Sequence, residues 1–356
     1  MVHRKKTPLF VYVLSILSAA VLAVCVAVVA AILIRKPKVP AVSPRSMTYF
    51  GTICSLNLFE SGTQELYNEL FHRIELIDTE FDPNRASSDV SRINAAAGDH
   101  AVSVSEDVIS VVKRALSYAE LSGGLFDPTI GPVVKLWSIG TDEAHVPNDR
   151  YIRAALPLVD YRAVVVDGDT VFLEKEGMSL DLGALVKGFA ADSLCEMLAA
   201  RKVPRAIIDL GGNIYVYGKK IDNEPWYVGI KNPDNESGDP ALVLQLGECS
   251  VVTSGVYERF FVQNGKRYHH IFDTRTGYPL ETDLLSATVI CSSSVDADAL
   301  STLVFLLGAE DGIDLLSRMD GVSGVFISKN YKVVATESLK GIMESPIYKY
   351  RNFQFQ

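Results

Sequence analysis

Two periodicities alternate along residues 47–356. Apolar positions recur at helical spacing over Thr63–Thr79, Val104–Ser122, Gly183–Arg201 and Asp298–Leu307, where residues three and four apart share one face. Between these segments lie short β-branched and aromatic runs at Thr48–Phe59, Arg205–Tyr217, Trp226–Ile230, Ala241–Leu246 and Val251–Thr253. Tyr161–Leu173 reads as a hairpin around Asp167-Gly168-Asp169, and Gly324–Ser328 with Lys332–Thr336 as a final one. Phe81–Gly98 is polar and reads as a loop, while Gly123-Gly124 marks a helix end. No repeat of fixed period appears. Strands and helices mix without βαβ alternation, so the pattern predicts an α+β fold of mixed and antiparallel sheets with packed helices. Residues 47–356 are enough for one large core or two intimately packed subdomains.

The first 46 residues follow a different pattern. A basic segment, residues 1–7 with Arg4, Lys5 and Lys6, precedes Pro8–Ile34, which holds no charged residue. As a helix that run is roughly 40 Å long, enough to cross a ~30 Å hydrocarbon core. It predicts one N-terminal transmembrane helix, an uncleaved signal anchor over residues 8–34, with residues 35–46 as a linker. Cys25 lies in the middle of the run after Val24, which argues against a lipid-modified cysteine. Arg35, Lys36 and Lys38 nearly balance the basic N-terminus. Orientation therefore follows the usual outcome for such anchors. The expected location is the bacterial inner membrane, single-pass, with the large domain extracytoplasmic.

Charge narrows the function classes. The 46 N-terminal residues carry seven of the 34 Lys/Arg and no acid, which leaves 27 basic against 43 acidic residues beyond them. A domain with a net charge of −16 is not built to track nucleic-acid phosphates. A phosphate ligand would need local help, most simply a divalent cation. There is no GxGxxG after a strand, so any dinucleotide binds in a non-Rossmann manner. Cys54, Cys195, Cys249 and Cys291 are widely spaced and indicate neither a zinc site nor a disulfide scaffold.

Five stretches concentrate glycine, acid and hydroxyl residues. Gly123–Trp137 (GGLFDPTIGPVVKLW) fixes a loop path around Asp127 and Thr129. Leu180–Asp192 (LDLGALVKGFAAD) turns at Gly183 into a helix whose first amides suit an anion, with Lys187 in reach of a phosphate. Asp209–Gly218 (DLGGNIYVYG) places a Gly-Gly-Asn turn beside a strand, either a bulge or a close approach to a ligand. Thr253–Arg259 (TSGVYER) leads to His269-His270-Ile271-Phe272-Asp273-Thr274-Arg275-Thr276-Gly277, where a histidine is a candidate general base. In Ser294–Gly308 (SVDADALSTLVFLLG), Asp298 and Thr302 project from one helix face. That pair is either a sparse hard-oxygen set for Mg²⁺ or a helix cap with a back-bonded hydroxyl.

Taken in order, these stretches resemble the ApbE family, the FAD:protein FMN transferases. Phe50-Gly51-Thr52 and Ser91-Arg92-Ile93-Asn94 precede them, and the likeness runs from about Thr48 to near the C-terminus. The resemblance implies transfer of FMN from FAD to a threonine or serine hydroxyl of an acceptor protein, releasing AMP, with Mg²⁺ as cofactor. It assigns the metal to Asp298, Thr302 and the carbonyl of Ala184. FAD contacts fall to Asp181, Lys187, the Leu125-Phe126-Asp127 turn, Phe50, Phe81 and the backbone at Phe272. His270 becomes the base for the acceptor hydroxyl. Thr274 stands where the family usually has proline, which would loosen that turn. Phe50 replaces a common methionine, and Phe81 takes the approximate place of a tyrosine. The alternatives are an Mg²⁺-dependent FAD pyrophosphatase giving FMN and AMP, and a non-catalytic flavin-binding protein displayed at the membrane.

Overall fold

The computed structural model describes residues 43–234 and 238–356, and the expected anchor over residues 8–34 lies outside them. Among the described residues no helix is long and apolar enough to cross a membrane. The frame is a nine-stranded sheet whose spatial order is the order of the chain. Its strands are β1 (Arg45–Tyr49), β2 (Thr52–Asn57), β3 (Arg205–Leu210), β4 (Asn213–Gly218), β5 (Cys249–Gly255), β6 (Leu284–Cys291), β7 (Ser323–Ser328), β8 (Val333–Ala335) and β9 (Phe353–Phe355). Every neighbouring pair is antiparallel except β8 and β9. The expected mixed and antiparallel α+β fold is what forms.

The central strands are buried on both faces, so β6 reads as a near-continuous apolar run rather than an alternating one. One face carries the main core, into which β6 sends Leu284, Ala287, Val289 and Cys291. In chain order the helices are α1 (Gln64–Phe81), α2 (Asp89–Ala95), α3 (Glu106–Leu121), α4 (Gly131–Trp137), α5 (Asp149–Ala155), α6 (Val186–Ala200), α7 (Ser294–Leu307) and α8 (Ala309–Ser317). All but α4 and α5 bury residues in that core, and these two build a separate cluster of Val133, Trp137, Ile152 and Ala155 with Phe272. The opposite face packs Val251 and Ile290 against a small sheet formed by Trp226–Ile230, Leu242–Leu246 and Met343–Glu344. Helices α1 through α6 all lie in the connection between β2 and β3, yet these two strands pair directly.

Two expectations needed correction. Thr48–Phe59 is a hairpin rather than one strand, because Phe50 (φ 53°) and Gly51 (φ 67°) turn the chain between Tyr49 and Thr52. Both residues of such a two-residue turn need positive φ, which suits the glycine and strains the phenylalanine by about 1–2 kcal/mol. The polar stretch after Phe81 is also not all loop. Ser88 accepts a hydrogen bond from Ser91 N–H and caps α2, which buries Val90 and Ile93. Two buried positions one turn apart were too few to stand out as a period. The expected hairpin at Tyr161–Leu173 forms from Val164–Asp167 and Thr170–Leu173.

Candidate active site

Helices α6 and α7 meet at a contact that only glycine permits. A Cβ on Gly188 would lie 2.3 Å from the Ser294 carbonyl oxygen and 2.6 Å from Val295 Cα. One turn further along α6, the Asp192 carboxylate accepts the backbone N–H groups of Ser294 and Val295 at 2.8 and 2.9 Å. Beneath this junction, buried Asn213 of the Gly-Gly-Asn turn accepts from the Ser294 hydroxyl at 2.9 Å. The DLGGNIYVYG motif therefore pins the start of α7 to the sheet.

That docking aims Asp298, only 4% exposed, at the first turn of α6. Its Oδ2 accepts the Gly188 N–H at 2.9 Å. The Gly188 N–H would otherwise serve the Ala184 carbonyl four residues back. Among the described residues no hydrogen bond reaches that carbonyl, which leaves it free beside Asp298. The Lys187 ammonium lies 3.5 Å from Asp298 Oδ1 and 3.4 Å from the Gly183 carbonyl.

Thr302 sits one turn beyond Asp298 on α7. Ser301 Oγ donates to the Asp298 carbonyl at 2.9 Å, so it accepts from Ser254 Oγ of β5 at 2.8 Å. Ser254 then has no proton left for Thr302 Oγ1, 3.2 Å away, and Thr302 must be the donor there. Both lone pairs of Thr302 stay open. A nearly buried carboxylate, a released carbonyl and a hydroxyl with free lone pairs form a hard-oxygen set of the kind Mg²⁺ takes alongside water and phosphate. The alternative reading, with Asp298 as a helix cap, does not hold, because Ser293 caps α7 through Asp296 N–H. Among the described residues no cluster of three His, Cys, Asp or Glu side chains forms a self-sufficient metal cage.

The two adjacent histidines have different roles. His269 is buried, with Nε2 3.0 Å from the Leu280 carbonyl and Nδ1 accepting from Ile271 N–H, so both ring nitrogens are engaged. His270 is partly exposed. Its Nδ1 lies 3.2 Å from the Arg259 carbonyl, which also accepts the His270 N–H. A carbonyl only accepts, so Nδ1 carries the proton and Nε2 keeps its lone pair. Desolvation, helped by the charges of Arg259, His269 and Lys187, lowers His270 to about 3 and keeps the imidazole neutral.

Glu258 and Arg259 join this group, although sequence reasoning gave neither a role. Glu258 is exposed to solvent, yet desolvation raises its carboxyl to about 7, against the favourable charges of Lys187, Lys231 and Arg259. Both residues sit in TSGVYER, and that density of charge beside a glycine was the available signal.

The remaining predicted residues divide into supports and surfaces. Asp181 takes the Gly183 N–H at 2.9 Å and stays partly exposed at the turn into α6. Asn94 braces that turn by bonding both backbone groups of Leu180. Asp127 is buried and occupied, accepting Thr129 N–H and hydroxyl with one oxygen and Tyr161 N–H with the other. Burial raises its carboxyl above the usual range. Phe126 is buried and Leu125 partly so. Phe81 is 4% exposed, with its ring 5.9 Å from that of Phe189 in the core, so it offers no open face to a flavin. Phe272 packs on fully buried Trp137, whose Nε1 donates to the Gly277 carbonyl. Thr274 does not loosen its turn, because its hydroxyl donates to the Gly124 carbonyl at 2.8 Å and ties the histidine segment to the Gly123–Asp127 turn.

The chain is 38% identical over 314 residues to the FAD:protein FMN transferase of Treponema pallidum, covering 83% of this chain and 87% of that protein. It is 39% identical over 291 residues to one from Klebsiella pneumoniae, covering 81% and 90%. Among solved structures, the ApbE protein of Thermotoga maritima superposes with a TM-score of 0.76 at 29% identity, over 84% of this chain and 98% of that one. The flavin transferase ApbE of Vibrio cholerae gives 0.74 at 26%, over the same shares. The ApbE family model matches residues 50–326, and the chain, a transferase by its relatives, belongs to the ApbE family.

Proposed function

We propose that the protein transfers FMN from FAD to a threonine or serine hydroxyl of an acceptor protein and releases AMP, with Mg²⁺ as cofactor. The observation that carries this reading is the Ala184 carbonyl freed beside Asp298 and Lys187, in a chain that also holds His270 neutral with Nε2 open. Asp298, Thr302 and the Ala184 carbonyl would hold the cation. When bound, it neutralises pyrophosphate charge that this acidic domain cannot offset alone.

The protein's own residues supply positioning and proton transfer. Lys187 lies beside the metal ligands and can turn from Asp298 to a phosphate oxygen. The acceptor hydroxyl oxygen attacks the FMN phosphorus, the bond from that phosphorus to the bridging oxygen breaks, and AMP leaves with that oxygen. His270 Nε2 takes the hydroxyl proton. In the free protein desolvation holds His270 neutral, and the charges of Arg259 and Lys187 add to it. A bound pyrophosphate neutralises those same cations, so proton affinity at Nε2 rises when substrate arrives. We place this chemistry on a single-pass inner-membrane protein, anchored by residues 8–34, with the domain extracytoplasmic. An uncharged run of this length suits a bilayer far better than water.

Incubation with FAD, Mg²⁺ and candidate membrane proteins tests the reading. Flavin fluorescence that survives denaturing electrophoresis on an acceptor, with AMP released in equal amount, is expected. Steady AMP release with no protein-bound flavin would establish the pyrophosphatase instead. FAD bound but never consumed would leave only a binding protein.

A further inference from the structure

A continuous hydrogen-bond chain runs from helix α1 to the imidazole of His270. Asp78 Oδ1 accepts the Phe50 N–H at 2.8 Å. The Phe50 carbonyl accepts from Arg259 Nη2 at 2.9 Å. The Arg259 carbonyl in turn faces His270 Nδ1 and N–H, both at 3.2 Å. Phe50 is held in the left-handed region, where a bulky side chain is strained. Such a conformation persists only when its surroundings over-determine it, and it is here gripped on both sides of the residue. The ribbon Phe260–Gln263 with Lys266–His269 ends on the Arg259–His270 pair, so the guanidinium is a tie between the base of that ribbon and the β1–β2 turn.

We propose that Asp78 and Arg259 are positioning residues, which lock the Phe50–Gly51 turn and through it hold His270 with Nε2 facing the reaction. The inference rests on the transferase reading, in which His270 is the base. The groups whose charge reaches His270 are Arg259, His269 and Lys187, and Arg259 alone of these belongs to the tie. Removing its side chain therefore both frees the ribbon and removes a cation that opposes protonation.

Flavin transfer from FAD to an acceptor protein with Mg²⁺, read as protein-bound flavin with AMP released, and the protonation state of His270, read by NMR of isotope-labelled histidines in the full chain, test the proposal together. Arg259→Ala is expected to lower kcat at least tenfold and move the acid limb of the pH profile upward. Arg259→Lys, which keeps the charge but not the fork, lowers kcat and leaves the limb in place. Asp78→Ala lowers kcat about fivefold without shifting the limb, and its His270 spectrum shows loss of the single Nδ1–H tautomer. Asp78→Asn keeps at least half of kcat, because the amide oxygen still accepts the Phe50 N–H. The proposal is overturned if Asp78→Ala and Arg259→Ala leave kcat within twofold and the tautomer unchanged, or if Asp78→Asn is as damaging as Asp78→Ala. A parent protein that transfers no flavin to the acceptors offered defeats the transferase reading alone, and the tautomer measurement still decides the tie.

Discussion

Gly188→Ala sets two effects of opposite sign against each other. Alanine is favoured over glycine inside a helix by about 1 kcal/mol, so propensity alone predicts a more stable protein. The added Cβ would meet the Ser294 carbonyl oxygen at 2.3 Å and its carbon at 2.6 Å, and these are backbone atoms that cannot rotate away. Overpacking of a core typically costs ~1–3 kcal/mol, and a clash with rigid backbone falls at or above the upper end. The net loss is about 2 kcal/mol or slightly more. For a domain of about 310 residues, with an unfolding entropy near 2.1 cal/mol/K per residue, this lowers Tm by about 3–4 °C. The functional effect is larger, since parting the helices lengthens the 2.9 Å bond from Gly188 N–H to Asp298 and restores Ala184 to its helical partner. Thermal melts with and without Mg²⁺, alongside AMP release against Mg²⁺ concentration, measure both. We expect the apparent affinity for Mg²⁺ to weaken at least tenfold. A variant that melts at or above the parent with unchanged Mg²⁺ dependence would refute the argument that this contact builds the site.

Three further outcomes follow from the same geometry. Asp298→Ala should reduce Mg²⁺-stimulated FAD consumption more than a hundredfold, and chelation of the parent should do the same until Mg²⁺ is restored. Glu258 has a folded value raised to about 7, above that of the unfolded chain. Its charge therefore costs stability as pH rises through that range, and Glu258→Gln should match the parent's Tm near pH 4.5 but exceed it at pH 8 without ligand. His270 is lowered to about 3. The associated stability is present above pH 6.5 and lost as pH falls toward 3, so parent Tm should drop more steeply than that of His270→Asn between pH 6.5 and 4.5. Equal slopes in calorimetry would contradict an imidazole held neutral in the folded protein.

The sequence carried the local signals of this fold and few of the long-range ones. Helices α1, α3, α6 and α7 were legible because each buries a full face over several turns. Helix α2 was not, since its seven residues bury two positions. The ordered motifs named Asp298, Thr302, Ala184, Lys187 and His270, but not why Ala184 is available. That depends on the Gly188 N–H leaving its own helix for a carboxylate 110 residues away. Burial also separates residues that motif reasoning groups together. Asp127 and Phe81 lie in motifs or beside them, yet their side chains face the core. Asp78 escaped notice because an acid on an amphipathic helix looks like solvated surface until its partner, the Phe50 N–H, is known.

The chain-ordered sheet also has a consequence for synthesis. Hairpins such as β3–β4 can form as soon as they leave the ribosome, whereas pairing β2 with β3 closes a loop of about 150 residues and waits on loop-closure entropy. Lys187, Arg259, His270 and Thr302 emerge one after another, and the last of them lies on a helix that docks only when α6 and the sheet beneath it are in place. A nascent or truncated chain that stops before α7 thus has Lys187, Arg259 and His270 but lacks Asp298 and Thr302, two of the three groups proposed to hold the cation. On the proposed mechanism, no FAD is consumed until most of the chain has been made.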